Sequence, residues 1–352
     1  MNRRFLSFFL VLLLLFTLAG CQNPSSQEDS NKDPAQQEQQ KTEGKTPEKN
    51  TDDVTIRVAG LKGPTAMGMV KMMDDSAKGK SQGNYAFTLA GAPEELTGPI
   101  VQGQFDIAAV PTNLAATLYN KTQGKVQLAA LNTLGVLYIV ETGDTIQSVE
   151  DLRGRTIYAT GKGSTPEYAL HYVLSQNGLT PGKDVQVEYK TEHSELAALL
   201  AAGQADLALL PQPFVTSVLA QNENARTALD LTQLWEDASQ GKSVLTMGCL
   251  LVQKSFAQEH PQALAAFLKE YQESVGYVTD EKNLDEVSTL IEEQGIIKKA
   301  VAQEALPQCN IVFITGEEMK TMTQGFLQVL FQADPTSMGG TLPGDDFYCL
   351  ES

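Results

Sequence analysis

Apolar residues in this chain fall in short runs separated by longer stretches of helical period, and one arrangement of runs occurs twice. Gly103-Gln104-Phe105-Asp106-Ile107-Ala108-Ala109-Val110-Pro111 is followed one hundred residues later by Gly203-Gln204-Ala205-Asp206-Leu207-Ala208-Leu209-Leu210-Pro211. Five of the nine positions are identical and the others are apolar in both copies. At an offset of 101, Thr55-Ile56-Arg57-Val58-Ala59-Gly60 before Leu61-Lys62-Gly63-Pro64-Thr65 matches Thr156-Ile157-Tyr158-Ala159-Thr160-Gly161 before Lys162-Gly163-Ser164-Thr165-Pro166. Two matches in one order imply an internal repeat. Each copy reads as strand, Gly-containing turn, helix, strand, helix and the Gly-Gln-x-Asp strand. Strands alternating with helical patterns predict an α/β fold with parallel pairing and right-handed crossovers.

The pattern predicts a helix over 64–75, opened by Pro64 where no amide is needed. The matching helix starts at Ser164, which has capping-box spacing to Glu167, and stops at Asn177-Gly178. Residues 196–202 give another helix, closing at Gly203. Residues 134–140 and 243–252 read as two strongly apolar strands that join the two repeat units as a hinge. Helices follow over 261–278, 285–293 and 316–331, and this tail is expected to pack back on the first unit.

The N-terminus has a different character. Arg3 and Arg4 precede an apolar run over 5–18 and then Leu18-Ala19-Gly20-Cys21. A basic start, a short apolar segment and small residues before a cut site describe an export signal over 1–20. The run is too short for a comfortable membrane span. Cys21 after Leu-Ala-Gly resembles the lipobox of bacterial lipoproteins, whose Cys is acylated, and acyl chains there would anchor the protein without spanning the membrane. Residues 22–53 hold no aromatic and no aliphatic side chain larger than Ala35. With Cys21 they read as a lipid-anchored disordered linker over 21–53, with a reach on the order of 30 Å.

Composition narrows the classes of function. The 352 residues carry 26 Lys+Arg against 43 Asp+Glu, a net charge of −17 that argues against nucleic acid as a partner. Three His and four Cys leave little material for a metal site, and none is expected. No metalloprotease, nucleophile-elbow or phosphate-loop sequence is present, and no cofactor is expected. His171 falls mid-helix, His193 beside a helix start, and His260 before Pro261 as a cap.

In open α/β sheets, ligands bind beyond the carboxyl ends of strands, beside helix N-termini. The candidate ligand-binding residues are therefore Gly63, Pro64, Thr65 and Ala66 at one turn and Gly163, Ser164 and Thr165 at its repeat. Thr112 and Asn113 follow Pro111, Gln212 follows Pro211, and Asn132 precedes the first hinge strand. Unpaired amides at such turns accept anionic or carbonyl-bearing groups. Asp106 and Asp206 open their strands and read as structural. Lys62 and Lys162 flank the turns, and Trp235 is expected to pack on a surface rather than line the cleft.

The lipobox, the tether, the paired α/β units, Val149-Glu150-Asp151-Leu152-Arg153-Gly154-Arg155 and Ala201-Ala202-Gly203-Gln204-Ala205-Asp206-Leu207-Ala208 together resemble the solute-binding proteins of ABC importers. The chain is similar to their type II group, which includes nitrate, sulfonate, taurine and thiamine-pyrimidine binders. The resemblance implies a two-lobed type II periplasmic binding protein-like fold that closes on a small heterocycle or oxyacid. It further implies a monomer held outside the cytoplasm at the bacterial cell membrane, delivering its solute to an ABC permease. Residues 54–134 with 250–352 would form the first lobe and 135–249 the second. Ser164 and Thr165 match the hydroxyl pair with which sulfonate binders grip their ligand, while 61–68 departs from the usual phrase. The same fold hosts enzymes acting on small heterocyclic metabolites, which is the alternative function. Export also predicts a disulfide between Cys309 and Cys349, with Cys249 a buried thiol.

Overall fold

The computed structural model describes residues 54–350. The export signal expected over 1–20, Cys21 and the linker over 22–53 lie outside the described residues. Eleven strands are described: β1 (Thr55–Leu61), β2 (Asn84–Ala90), β3 (Ile107–Pro111), β4 (Val126–Leu134), β5 (Leu137–Thr142), β6 (Thr156–Ala159), β7 (Gln186–Tyr189), β8 (Leu207–Pro211), β9 (Ala225–Asp230), β10 (Thr246–Gln253) and β11 (Ile311–Ile314). They form two sheets, β11-β4-β10-β3-β1-β2 and β7-β6-β8-β5-β9.

The repeat is realised in three dimensions. β1 runs parallel between β2 and β3, and β6 runs parallel between β7 and β8. The Gly-Gln-x-Asp strands β3 and β8 each take an antiparallel neighbour next, β10 and β5 respectively. Each of those neighbours is the strand that has just crossed from the other sheet, so the two units are stitched by exchange. Asp106 is structural: its carboxylate accepts from the Arg57 backbone at 2.8 Å and pairs with the guanidinium at 2.5 Å, tying β3 to β1.

The segment 134–140, expected as one strand, is two. β4 ends at Leu134 in the first sheet and β5 begins at Leu137 in the second. Gly135 makes the joint possible, because a Cβ there would overlap the Thr232 side chain. The helix expected over 64–75 is likewise broken into Pro64–Met67 and Val70–Ala77. The Ser274 hydroxyl enters the break, donating to the Gly68 carbonyl at 2.7 Å and accepting from the Met72 amide at 3.1 Å. It thus stands in for the helical bond from the Met72 amide to the Gly68 carbonyl.

The helix Thr165–Gln176 ends at Asn177-Gly178 as expected, but the capping box does not form. Ser164 Oγ donates instead to the Gly161 carbonyl, and Glu167 accepts from Gly163 N–H. The tail packs on both sheets rather than on the first alone. Pro261–Thr279 and β11 join the core of the first sheet, whereas Gly316–Ala333 contacts both β4 and Thr165–Gln176. Phe326 of that helix lies 5.4 Å from Trp235, which is completely buried and donates to Ser243 Oγ.

The staple expected between Cys309 and Cys349 does not form, although both side chains are buried. The Cys349 amide bonds to Leu128 of β4, whereas Asn310, next to Cys309, bonds to Leu134. Those anchor points stand six residues apart, on the order of 20 Å at ~3.3 Å per residue, and a disulfide cannot span that.

Candidate functional site

Four strand-to-helix joints meet at one place. The joint after β1 brings Lys62, Gly63, Pro64 and Thr65, and the joint after β6 brings Gly161, Ser164 and Pro166. The joint after β2 adds Gly91 and Pro93, and the joint after β7 adds Thr191 and His193. With Pro111 and Pro211 from the ends of β3 and β8, and Thr133, Val136 and Met247 near the crossings, they line a partly open cavity of about 60 Å³. Gly63 has φ 141, a region open to glycine, and this lets the chain turn sharply from β1 into the first helix.

The walls approach closely. A Cβ on Gly91 would stand 3.0 Å from the Glu192 carboxylate, so the rims of the two halves touch there. On the far wall His193 is half-buried, its ring 5.2 Å from Phe214 and its Nδ1 2.5 Å from Thr160 Oγ1. Desolvation pushes its pKa down to about 4, so the imidazole is neutral at physiological pH.

Of the residues expected to bind ligand, Gly63, Pro64, Thr65 and Ser164 line this cavity. The others stand behind it or away from it. Asn113 is fully buried; its amide donates to the carbonyls of Ser337 at 2.9 Å and Gly163 at 3.3 Å. Its Oδ1 accepts from Thr165 Oγ1 at 3.1 Å, so Asn113, Gly163 and Thr165 bolt the two halves to the C-terminal tail. Asn132 donates to the Thr65 carbonyl at 3.2 Å and holds the first turn in place. Ala66 and Thr112 are buried, and Gln212 is tied to Thr216 and Gln308 beside a separate groove. Lys162 lies over the Tyr189 ring, whereas Lys62 reaches the cavity wall.

Sequence reading missed Gly91, Pro93, Val136, Thr191, His193 and Met247. The signal for four of them was present in the repeat. The 100-residue offset that relates the Gly-Gln-x-Asp strands also relates Gly91 and Pro93 to Thr191 and His193. Among the described residues no group of three or more His, Cys, Asp or Glu gathers to hold a metal ion.

The family model described as "ABC transporter, phosphonate, periplasmic substrate-binding protein" matches residues 85–300, more than half of the chain. The chain belongs to this family. It is thus the periplasmic substrate-binding component of an ABC importer. No curated protein matches the sequence. Solved structures show the same fold at low identity. An ABC transporter protein of Parabacteroides distasonis is similar at TM-score 0.68 and 22% identity, covering 85% of this chain and 99% of that one. The periplasmic aliphatic sulphonate binding protein of Escherichia coli has TM-score 0.63 and 17% identity, covering 79% and 87%. The periplasmic nitrate-binding protein of Synechocystis has TM-score 0.59 and 14% identity, covering 85% and 92%. The family match begins after the first cavity turn, so Lys62 to Thr65 lie outside it.

Proposed function

We propose that this substrate-binding protein captures a compact solute in the cavity between its two sheets and hands it to a membrane permease as a lipid-anchored monomer. The observation that carries the reading is the convergence of four strand-to-helix joints, two from each repeat unit, on one small cleft. Ligand binding favours the closed arrangement only through contacts with both halves, and this cavity offers them from both. The crossings at Gly135-Val136 and just ahead of β10 are the hinge positions. Acylation of Cys21 and the polar stretch 22–53 would hold the protein at the outer face of the cell membrane while leaving it free to swing toward the permease.

Native mass spectrometry of the chain purified without denaturation tests this. The expected result is a small-molecule adduct in the wild type that is absent in Gly91→Leu, whose added side chain starts from the cavity lining and occupies space the solute needs. An adduct that persists in Gly91→Leu places the ligand elsewhere. Recovery of a chemically altered compound after incubation favours an enzyme. Radiolabelled palmitate should enter the wild type and not Cys21→Ala; equal labelling would reject the anchor.

A further inference from the structure

We infer that the cavity is built for an uncharged ring compound bearing N–H donors, and that it selects against phosphonate and sulfonate oxyanions. The inference rests on the receptor reading of the same cavity and narrows its ligand.

An oxyanion site needs donors aimed at the ligand and a surplus of positive charge. Three hydroxyls of the lining point their hydrogens elsewhere. Thr65 Oγ1 donates to the Leu61 carbonyl at 3.1 Å, Thr133 Oγ1 to Asn132 Oδ1 at 3.2 Å and Ser164 Oγ to the Gly161 carbonyl at 2.7 Å. With those hydrogens committed, the three oxygens are left to act as acceptors. The helix N-termini offer fewer amides than their number suggests. Pro64, Pro93 and Pro166 occupy the first or second position of their helices and carry no N–H. Gly91 and Ala92 amides go to Glu95 at 3.0 and 2.9 Å, and the Gly163 amide goes to Glu167 at 2.5 Å.

The charges agree. Glu95 and Glu167 place carboxylates at the helix ends where a bound anion would otherwise stand, and Glu192 closes the rim. None of the three lines the cavity itself, where Lys62 is the cation and His193 is neutral. The remaining wall is apolar: Pro111 and Pro211 join the three helix-opening prolines, with Leu61, Val136 and Met247. Flat apolar faces with acceptors at their edges match a ring whose faces are apolar and whose N–H groups point outward. A cavity of about 60 Å³ corresponds to a few water molecules, on the order of one small ring.

The test is thermal melting of the full mature chain, freed of bound ligand by unfolding and refolding. One series contains uracil, cytosine and nicotinamide, the other phosphate, methylphosphonate and ethanesulfonate. At least one neutral ring should raise the melting temperature by several degrees, equally at low and high salt, with the rise lost in Gly91→Leu. The oxyanions should produce no shift. A shift by an oxyanion that Gly91→Leu abolishes overturns the inference and leaves the receptor reading standing. Silence of every neutral ring also overturns it, while the copurifying adduct still judges the receptor reading separately.

Discussion

His193 shows how one half-buried residue couples the cavity wall to acidity. Its ring packs beside Phe214 and meets Thr160, and desolvation pushes its pKa down to about 4. In the unfolded chain the same side chain titrates near ~6.5. Between those values the unfolded state binds a proton that the native state refuses, so stability falls as pH falls from about 6.5 toward 4. Above that window His193 contributes no pH dependence. The gap corresponds to at most about 3 kcal/mol. The His193→Asn variant is therefore expected to lose less stability than wild type between neutral pH and pH ~4.5 in denaturant titrations. Because burial also lowers the His171 pKa, the difference between the two proteins carries the information. Equal acid sensitivity would remove His193 from the account. The imidazole is legible in the sequence only as a residue beside a helix start, because its depressed pKa comes from burial in the folded chain, which its sequence neighbours do not reveal.

At the scale of elements, the broken first helix ties the site to the tail. Ser274, two hundred residues downstream of Gly68, stands in for the missing helical bond between Gly68 and Met72. Removing its hydroxyl leaves a buried carbonyl and a buried amide without that partner. Ser274→Ala is thus expected to cost about 1–3 kcal/mol, read as a lower urea midpoint at unchanged slope. A midpoint within error of wild type would show that the two pieces rejoin as one helix. The apolar period of 64–75 runs straight through the break, so no local signal marks it. What was legible follows from local rules. The repeat gave the parallel strands, the Gly and Pro signals gave the turns, and the turns gave half of the cavity through Gly63, Pro64, Thr65 and Ser164. What was not legible depends on distant partners. Asn113 reads as a cleft residue until Ser337 and Gly163 claim its amide, and Ser164 reads as a cap until Gly161 claims its hydrogen.

For the whole molecule, the decisive feature is a core that does not stop at the boundary between the sheets. Val110 and Leu131 of the first sheet and Ile157 and Leu209 of the second belong to one hydrophobic cluster, joined through Trp235 and Phe326. Phe326 comes from the C-terminal helix Gly316–Ala333, so the tail supplies the wedge between two otherwise similar halves. Opening of the cavity must then pivot about this shared core rather than separate the halves, and the crossings near Gly135 and ahead of β10 flex at its edge. A shared core also makes unfolding cooperative across both sheets. Phe326→Ala should cost about 3–5 kcal/mol. The loss should appear equally in amide exchange from β3 and from β8, because neither sheet retains its packing once the wedge is gone. Calorimetry of wild type should show one transition. Two resolved transitions, or a Phe326→Ala variant in which β8 exchanges early while β3 keeps its protection, would mean that the halves fold separately and that the tail merely rests on them.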